Sequence, residues 1–381
     1  MDLLYLSLFI LHLLYLLFNL VLWYGWRKIP LLPTPQKLKN PPFVSVIIAV
    51  RNEEKNIPGL LSDLAKQGYT NFEVILVDDH STDDTYRQIQ QNMDAFPHPI
   101  RLLSLEQQPV RGLAFKKAGI ALGIQHSQGE LLLTTDADCR VGPNWLQGIA
   151  NVYQHEKARL LSGGVCFHQE KNLFEKLQTV EFLSLIGSGA ASMAFQKPNM
   201  CNGANLAYTA QSYREVNGFE AHRHIPSGDD EFLMHSIHAR YPGSVQFVKS
   251  RDTIVWTRAK PTLREFIRQR KRWGSKWKHY HNPPALAMAV LVFAFHLSFI
   301  LCWGLLLSGY LTILQLLSLL LIKFTGEFLF LSDVLTFFGK KHFRKYLPLL
   351  TLLHPFYIVS VGLLGSFGSY QWKGRQHTSK K

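Results

Sequence analysis

Apolar residues gather at the two ends of the chain and thin out in the middle. Leu3 to Tyr24 is a nearly unbroken apolar run of about the twenty residues that a helix needs to cross a hydrocarbon core. No basic region precedes it and no small-residue cleavage site follows it, so it is expected to stay as an anchor. After Pro283 and Pro284 the apolar pattern resumes, and length predicts further spans over about 285–307, 310–331 and 347–368. Inside the second of these, Lys323 and Glu327 stand at i and i+4. A mutual ion pair there would lessen the cost of two charges in lipid, which is a structural role.

Between the ends the pattern changes period. Val44 to Val50, Phe72 to Val77, Ile100 to Leu105 and Glu130 to Thr135 are short β-branched runs that predict strands. Amphipathic stretches near 54–67, 82–93 and 115–126 alternate with them as helices. This alternation predicts an α/β domain with a mainly parallel sheet, whose ligands gather at the carboxyl ends of the strands. The expected organisation is an anchor over 1–26, an α/β domain over 40–255, an interfacial segment over 256–282 and a membrane region of about three helices over 284–370.

Charge then narrows the partners. The formal net charge of +14 suits an anionic partner, and much of the excess sits in Arg264 to Lys278 and Lys340 to Lys345, beside apolar spans. That placement favours a lipid bilayer and phosphorylated small molecules, with no nucleic acid. Arg27, Lys28, Lys37 and Lys39 follow the first span, and Lys340, Lys341, Arg344 and Lys345 lie between the last two. Both clusters place the α/β domain on the cytoplasmic side, as in a multi-pass protein of the bacterial inner membrane. The basic tail (Lys373, Arg375, Lys380, Lys381) resists this topology, since three further crossings would carry it outside. Four scattered cysteines with no C-x-x-C pair indicate neither a zinc site nor a disulfide framework.

Acids sit where the sheet predicts a site. Asp78 and Asp79 end the second strand, with Ser81 and Asp83 able to cap the next helix. Asp136 and Asp138 end the fourth strand; in extended chain i and i+2 point to one side, so the carboxylates would converge and call for a cation. Mg²⁺ or Mn²⁺, shared with substrate phosphates, is the expected divalent cation. A third group, Ser227-Gly-Asp-Asp-Glu231, precedes the helical run Phe232 to Ala239, where acids also serve a helix N-terminus. After Pro261, Thr262 and Glu265 form a capping-box pattern that starts a basic amphipathic helix. On it Gln269, Arg272 and Trp273 share one face, while Leu263, Phe266, Ile267, Trp273 and Trp277 interleave with Arg264, Arg268, Arg270, Lys271, Lys276 and Lys278. No G-x-G-x-x-G or P-loop pattern follows any strand.

Six motifs in order resemble the membrane-bound family-2 glycosyltransferases of GT-A fold, the branch that includes cellulose, chitin and hyaluronan synthases and ceramide glucosyltransferase. They are Val44 to Glu54, Val77-Asp-Asp-His-Ser-Thr-Asp83, Thr135-Asp-Ala-Asp-Cys139, Gly203-Ala-Asn205, Gly228-Asp-Asp230 and Gln269-Arg-Lys-Arg-Trp273, spread over roughly 43–275. The resemblance implies a Rossmann-like GT-A domain with transmembrane helices at both ends. It implies that Ala49, Arg51, Glu53, Asp78 and Asp79 form the nucleotide pocket and that Asp136 and Arg272 contact the donor. Lys116 resembles the donor-contacting lysine, with Phe115 where the family has glycine. Asp138 would ligate the metal, Asp230 would be the catalytic base, and Asp229, Gln269 and Trp273 would meet the acceptor. The implied activity is an inverting, hexosyltransferase-type transfer from a nucleotide-diphospho-sugar donor, a UDP-sugar by preference, to a lipid or glycan acceptor at the cytoplasmic membrane face. A membrane nucleotidyltransferase and a non-catalytic nucleotide-sugar-binding scaffold are the alternatives.

Overall fold

The computed structural model describes residues 3–110, 112–113, 115–223, 225, 228–274, 283–366, 370–372 and 375–377. Contacts divide the chain into two compact units, one of residues 29–169 and 192–258, the other of 1–28, 170–191 and 259–381. The division does not follow the linear order of apolar and mixed segments, because 170–191 lie with the apolar unit.

In the mixed-composition unit, strands β1 (Val44–Val50), β2 (Phe72–Asp78), β3 (Ile100–Ser104) and β4 (Leu131–Thr134) pair in parallel in the order β3-β2-β1-β4. Every residue of β2 and β4 is buried, as befits continuous apolar runs in a sheet covered on both faces. Helices α2 (Ile57–Ala65), α3 (Thr85–Met93) and α4 (Lys116–Gln125) fall in the crossovers. α4 lies close to the sheet because Gly119 and Gly123 face Ala49 and Ile47, where an added Cβ would come within 2.9 and 2.5 Å of their side chains.

Beyond β4 the sheet is mixed rather than parallel. α5 (Trp145–Glu156), β5 (Leu160–Gly163) and β6 (Val165–Phe167) follow in the chain. α6 (Leu173–Ala194) and β7 (Leu206–Thr209) come next, with β7 antiparallel to both β4 and β5. After α7 (Ala210–Glu215) and α8 (Asp229–Arg240), β8 (Val245–Val248) pairs in parallel with β5. β9 (Val255–Thr257) pairs with β6 in a separate small sheet. Asn205, fully buried, joins these pieces: its Nδ2 donates to Gly164 O at 2.9 Å and Thr253 O at 2.8 Å, and its Oδ1 accepts from Trp145 Nε1 at 3.0 Å. The third residue of the Gly203-Ala-Asn205 motif is therefore a structural clasp.

Among the described residues, four stretches of the apolar unit are long and apolar enough to cross a membrane: α1 (Leu3–Lys28), Leu286–Leu307 within α10 (Pro283–Leu307), α11 (Ile313–Phe337) and Lys341–Leu363, which runs into α12 (Leu347–Ser366). α1 and α11 run parallel, pinned by Tyr5 to Ser318 (2.9 Å), Tyr15 to Glu327 (3.0 Å) and Trp23 to Asp333 (2.9 Å). Lys323 Nζ donates to Glu327 Oε1 at 2.5 Å, the expected ion pair, and Thr351 of α12 donates to Glu327 Oε2 at 2.8 Å. α9 (Leu263–Gly274) starts with Thr262 Oγ1 accepting from Glu265 N at 3.3 Å, as the capping pattern predicts. Arg270, expected on its solvated basic face, is instead buried and paired with Glu181 of α6. Lys276, Trp277, Lys278, Lys373, Lys380 and Lys381 lie outside the described residues.

Asn205→Ala is expected to destabilise the protein by about 3 kcal/mol, the cost of leaving two buried carbonyls and an indole N–H without partners. Thermal unfolding of the purified variant measures this, and a midpoint equal to the parent's would show that the clasp carries no stability.

Candidate active site

The carboxyl ends of β1, β2 and β4 supply the floor of the site. Asp78 and Asp79 are buried, Asp78 Oδ2 accepting from Ser81 N at 3.1 Å and Asp79 Oδ1 lying 3.0 Å from His80 Nδ1. Asp78 Oδ1 is buried with no hydrogen-bond partner among the described residues. Arg51 ties β1 to the loop after β2, its Nη1 donating to Asp79 O at 2.6 Å and His80 O at 2.7 Å. Glu53 is buried, its N–H donating to Thr85 Oγ1 at 2.7 Å and its Oε2 accepting from Asn56 at 2.6 Å. Asp83 does cap α3, its Oδ1 accepting from Thr85 N and Oγ1 at 3.1 and 2.6 Å. Ala49, at the end of β1, touches α4 at Gly119.

Lys116 begins α4 and makes charge contacts with acids from two other stretches of the chain. Its Nζ lies 2.5 Å from Asp136 Oδ1 and 3.6 Å from Asp229 Oδ2. Asp230 is its neighbour: a Cβ at Gly203 would stand 3.3 Å from both Lys116 Nζ and Asp230 Cβ. Burial by itself would push the Lys116 ammonium down, but Asp136 and Asp229 outweigh it and hold its pKa well above the ordinary value. Asp230 Oδ2 accepts from Gly203 N at 2.9 Å and Oδ1 from Glu231 N at 2.8 Å. Gly203 is in turn held by Thr134, whose Oγ1 donates to its carbonyl at 2.9 Å. Residues 229–231 form the first turn of α8, where the exposed N–H groups of a helix favour negative charge. Three acids separated by up to 94 positions in the chain thus meet on one lysine.

Asp138 does not arrive by strand alternation. β4 stops at Thr134, and Cys139 N donates to Asp136 O at 3.1 Å, closing a turn through Ala137 and Asp138. Asp138 keeps a partly exposed carboxylate, a hard oxygen donor of the type that Mg²⁺ and Mn²⁺ prefer. Among the described residues, the one trio of candidate ligand atoms lying within 4.8 Å of one another is His296, Glu327 and His354. Lys323 already neutralises its carboxylate, so that trio is a polar junction between helices. A cation at Asp138 would complete its shell with substrate phosphates, the common arrangement for these ions.

Phe115 explains its own oddity. It precedes α4 with φ 55° and ψ −129°, a region that only glycine enters without strain. The family's glycine at this position thus has a backbone reason. Lys116, Asp136, Asp229 and Asp230 are brought together. Gln269, Arg272 and Trp273 belong to the other unit. There, Trp273 lies 4.2 Å under the Arg270 guanidinium and 5.8 Å from the Phe182 ring, and Gln269 Oε1 is buried without a partner among the described residues. Motif spacing gave no sign of the contacts made by Thr134, Lys117, Glu181 and Arg270, which cross long stretches of chain.

The family described as Glycosyl transferase family 2 matches residues 45–216, and Glycosyl transferase family group 2 matches residues 131–359, more than half of the chain. The chain belongs to the family-2 glycosyltransferases. It is 28% identical over 210 residues to glycosyltransferase AglE of Haloferax volcanii, covering 52% of this chain and 63% of that protein. It is 30% identical over 118 residues to a beta-monoglucosyldiacylglycerol synthase of Nostoc, covering 30% of this chain and 24% of that protein. The chain therefore spans less than two thirds of the length of these relatives. Among solved structures it resembles the mannosyltransferase PcManGT from Pyrobaculum calidifontis, determined with GDP-Man and Mn²⁺, with TM-score 0.59, 20% identity, and 92% and 98% of the two chains covered. That likeness establishes the GT-A fold of the chain, which carries apolar helices toward both ends.

Phe115→Gly is expected to be about 1 kcal/mol more stable than Phe115→Ala, since both remove the ring and only glycine relieves the backbone. Equal thermal midpoints for the two variants would remove the strain from the account.

Proposed function

We propose that the protein transfers a sugar from a nucleotide-diphospho-sugar to a lipid-linked or glycan acceptor, inverting the anomeric carbon, at the cytoplasmic face of a bacterial inner membrane. The observation that carries this reading is the meeting of Asp136, Asp229 and Asp230 on Lys116. Asp230 is the general base: each of its oxygens takes a backbone N–H, and a carboxylate retains further lone-pair capacity to accept an acceptor proton. Lys116 and Asp136 orient the donor, with the ammonium countering charge on the departing nucleoside diphosphate. Asp229 orients the acceptor. Asp138 is the protein ligand of a Mg²⁺ or Mn²⁺ ion, which when bound supplies Lewis-acid stabilisation of that diphosphate. Ala49, Arg51, Glu53, Asp78 and Asp79 form the nucleotide pocket, and the partnerless Asp78 Oδ1 is an acceptor suited to a base or ribose donor. The donor role of Arg272 and the acceptor roles of Gln269 and Trp273 rest on their motif.

The acceptor class is supported by the company the chain keeps, since its relatives include a synthase of a glucosyl lipid and undecaprenyl-phosphate sugar transferases. The membrane face is supported by the basic residues at one end of the parallel α1 and α11, Arg27 with Lys28 and Lys340 with Lys341, which positive-inside bias retains in the cytoplasm.

Asp230→Asn is expected to lower kcat by about 10² to 10⁴ with donor affinity unchanged, assayed as nucleoside diphosphate released from a panel of labelled nucleotide sugars. Transfer at the parent rate would remove Asp230 from the base role, and release of pyrophosphate would identify a nucleotidyltransferase instead. Asp138→Ala is expected to abolish the Mn²⁺-dependent part of UDP or GDP binding by calorimetry; an unchanged Mn²⁺ dependence would clear Asp138 as a metal ligand.

A further inference from the structure

Lys117 follows Lys116 on α4 but is buried, 1% exposed. Neighbouring residues on a helix do not face each other, so the two ammonium groups reach different surroundings. Lys116 meets the carboxylates, whereas Lys117 Nζ donates to two backbone carbonyls, His222 O and Ile225 O, each at 2.8 Å. Both carbonyls belong to the segment that leads into Gly228-Asp229-Asp230. The same ammonium lies 5.6 Å over the ring of Phe232, and the His222 ring stacks on that ring at 4.4 Å. Phe232 stands one turn into α8, two positions after Asp230. Lys117 thus holds the approach to Asp229 and Asp230 from one side and the helix that carries them from the other. A second tie joins the same two stretches, Arg223 Nε donating to Gly112 O at 3.5 Å.

A buried ammonium is costly unless its donors are satisfied. A core position needing only bulk would be filled more cheaply by Met or Leu, which pack without a charge. What lysine adds is a set of donors able to grip two carbonyls at once while its cation rests on an aromatic face. These carbonyls and this ring lie on the chain around the proposed base.

We propose that Lys117 is a positioning residue that holds His222, Ile225 and Phe232 so that Asp229 and Asp230 stay in register with Lys116. The inference deepens the assignment of Asp230 and rests on it. Lys116 and Lys117 then divide the work: the first meets the charges of the site, and the second sets where two of those charges stand.

The test compares Lys117→Met, Lys117→Arg and Lys116→Met in the full-length protein, by hydrogen exchange of the segment and by kinetics with UDP-glucose and GDP-mannose in Mn²⁺. For Lys117→Met, exchange over 219–232 is expected to accelerate about tenfold or more. Its kcat should fall on the order of 10²-fold, the cost of a small misplacement, with donor KM within about threefold of the parent. Lys117→Arg should recover part of both losses. Lys116→Met should weaken the donor without accelerating exchange. A large rise in donor KM for Lys117→Met would overturn the proposal in favour of direct donor contact. Unchanged exchange, or a lower melting temperature with kcat intact, would reduce Lys117 to ordinary packing. If Lys117→Met does not purify, Lys117→Gln carries the same readouts. If the parent protein transfers from no nucleotide sugar, the catalytic reading fails, and the exchange result alone sustains or overturns the tether.

Discussion

Bringing carboxylates together is the constraint around which the α/β unit is organised. Two like charges about 4 Å apart near a protein surface repel by roughly 4 kcal/mol, and Asp136, Asp229 and Asp230 all stand close to one lysine. The Lys116 ammonium offsets part of that repulsion, and the N–H groups of Gly203 and Glu231 on Asp230 offset more. The acids still outnumber that ammonium, and Asp138 adds another. The diphosphate of the proposed donor would meet these acids, and a cation entering with it would offset the repulsion. The requirement for metal in the proposed reaction is in this sense a consequence of the acids themselves.

Packing makes the convergence possible. Parallel β1, β2 and β4 end at one edge of the sheet, and the glycine contacts let α4 lie near enough to the strands for Lys116 to reach Asp136. Phe115 holds a glycine-like backbone at the entrance to α4. Such strain persists only where the surroundings over-determine it, and it collects at functional sites. Here it sits one residue before the lysine on which the site depends, so relaxing the backbone would turn the start of α4 and move Lys116.

Much of this was legible in the chain because its causes are local. β1, β2 and β4 show as apolar runs since both faces of the sheet are covered there, and Asp78, Asp79 and Asp136 stand at or just past the ends of β2 and β4. What escaped was long-range. β7 is four residues long, and its antiparallel insertion between β4 and β5 is set by partners 44 to 78 positions away. The expectation for Asp138 carried extended chain four residues past the end of β4, because nothing local announces the turn closed by Cys139. Arg270 looks like one more cation on a basic face, and only Glu181, far back in the chain, makes it a buried partner. Lys117 is hidden by its neighbour in the same way, since a pair of lysines reads as solvated until His222 and Ile225 are seen to fold over one of them.

The apolar unit obeys a different rule. Between helices in lipid, apolar contact gives little preference for one neighbour over another, so specificity falls to hydrogen bonds and close packing. The bonds between α1 and α11 occur at intervals along both helices, at Tyr5, Tyr15 and Trp23. Glu327 sits at the centre of the set, accepting from Lys323 on its own helix, Tyr15 on α1 and Thr351 on α12. One carboxylate thereby fixes three helices, and its charge is balanced where it stands, so the network needs no ion from outside. Because the bonds join residues of rising number on both helices, they also set direction. The basic residues that end α1, Arg27 and Lys28, and those that follow α11, Lys340 and Lys341, therefore lie toward the same end of the pair, where a positive-inside bias would act on both alike.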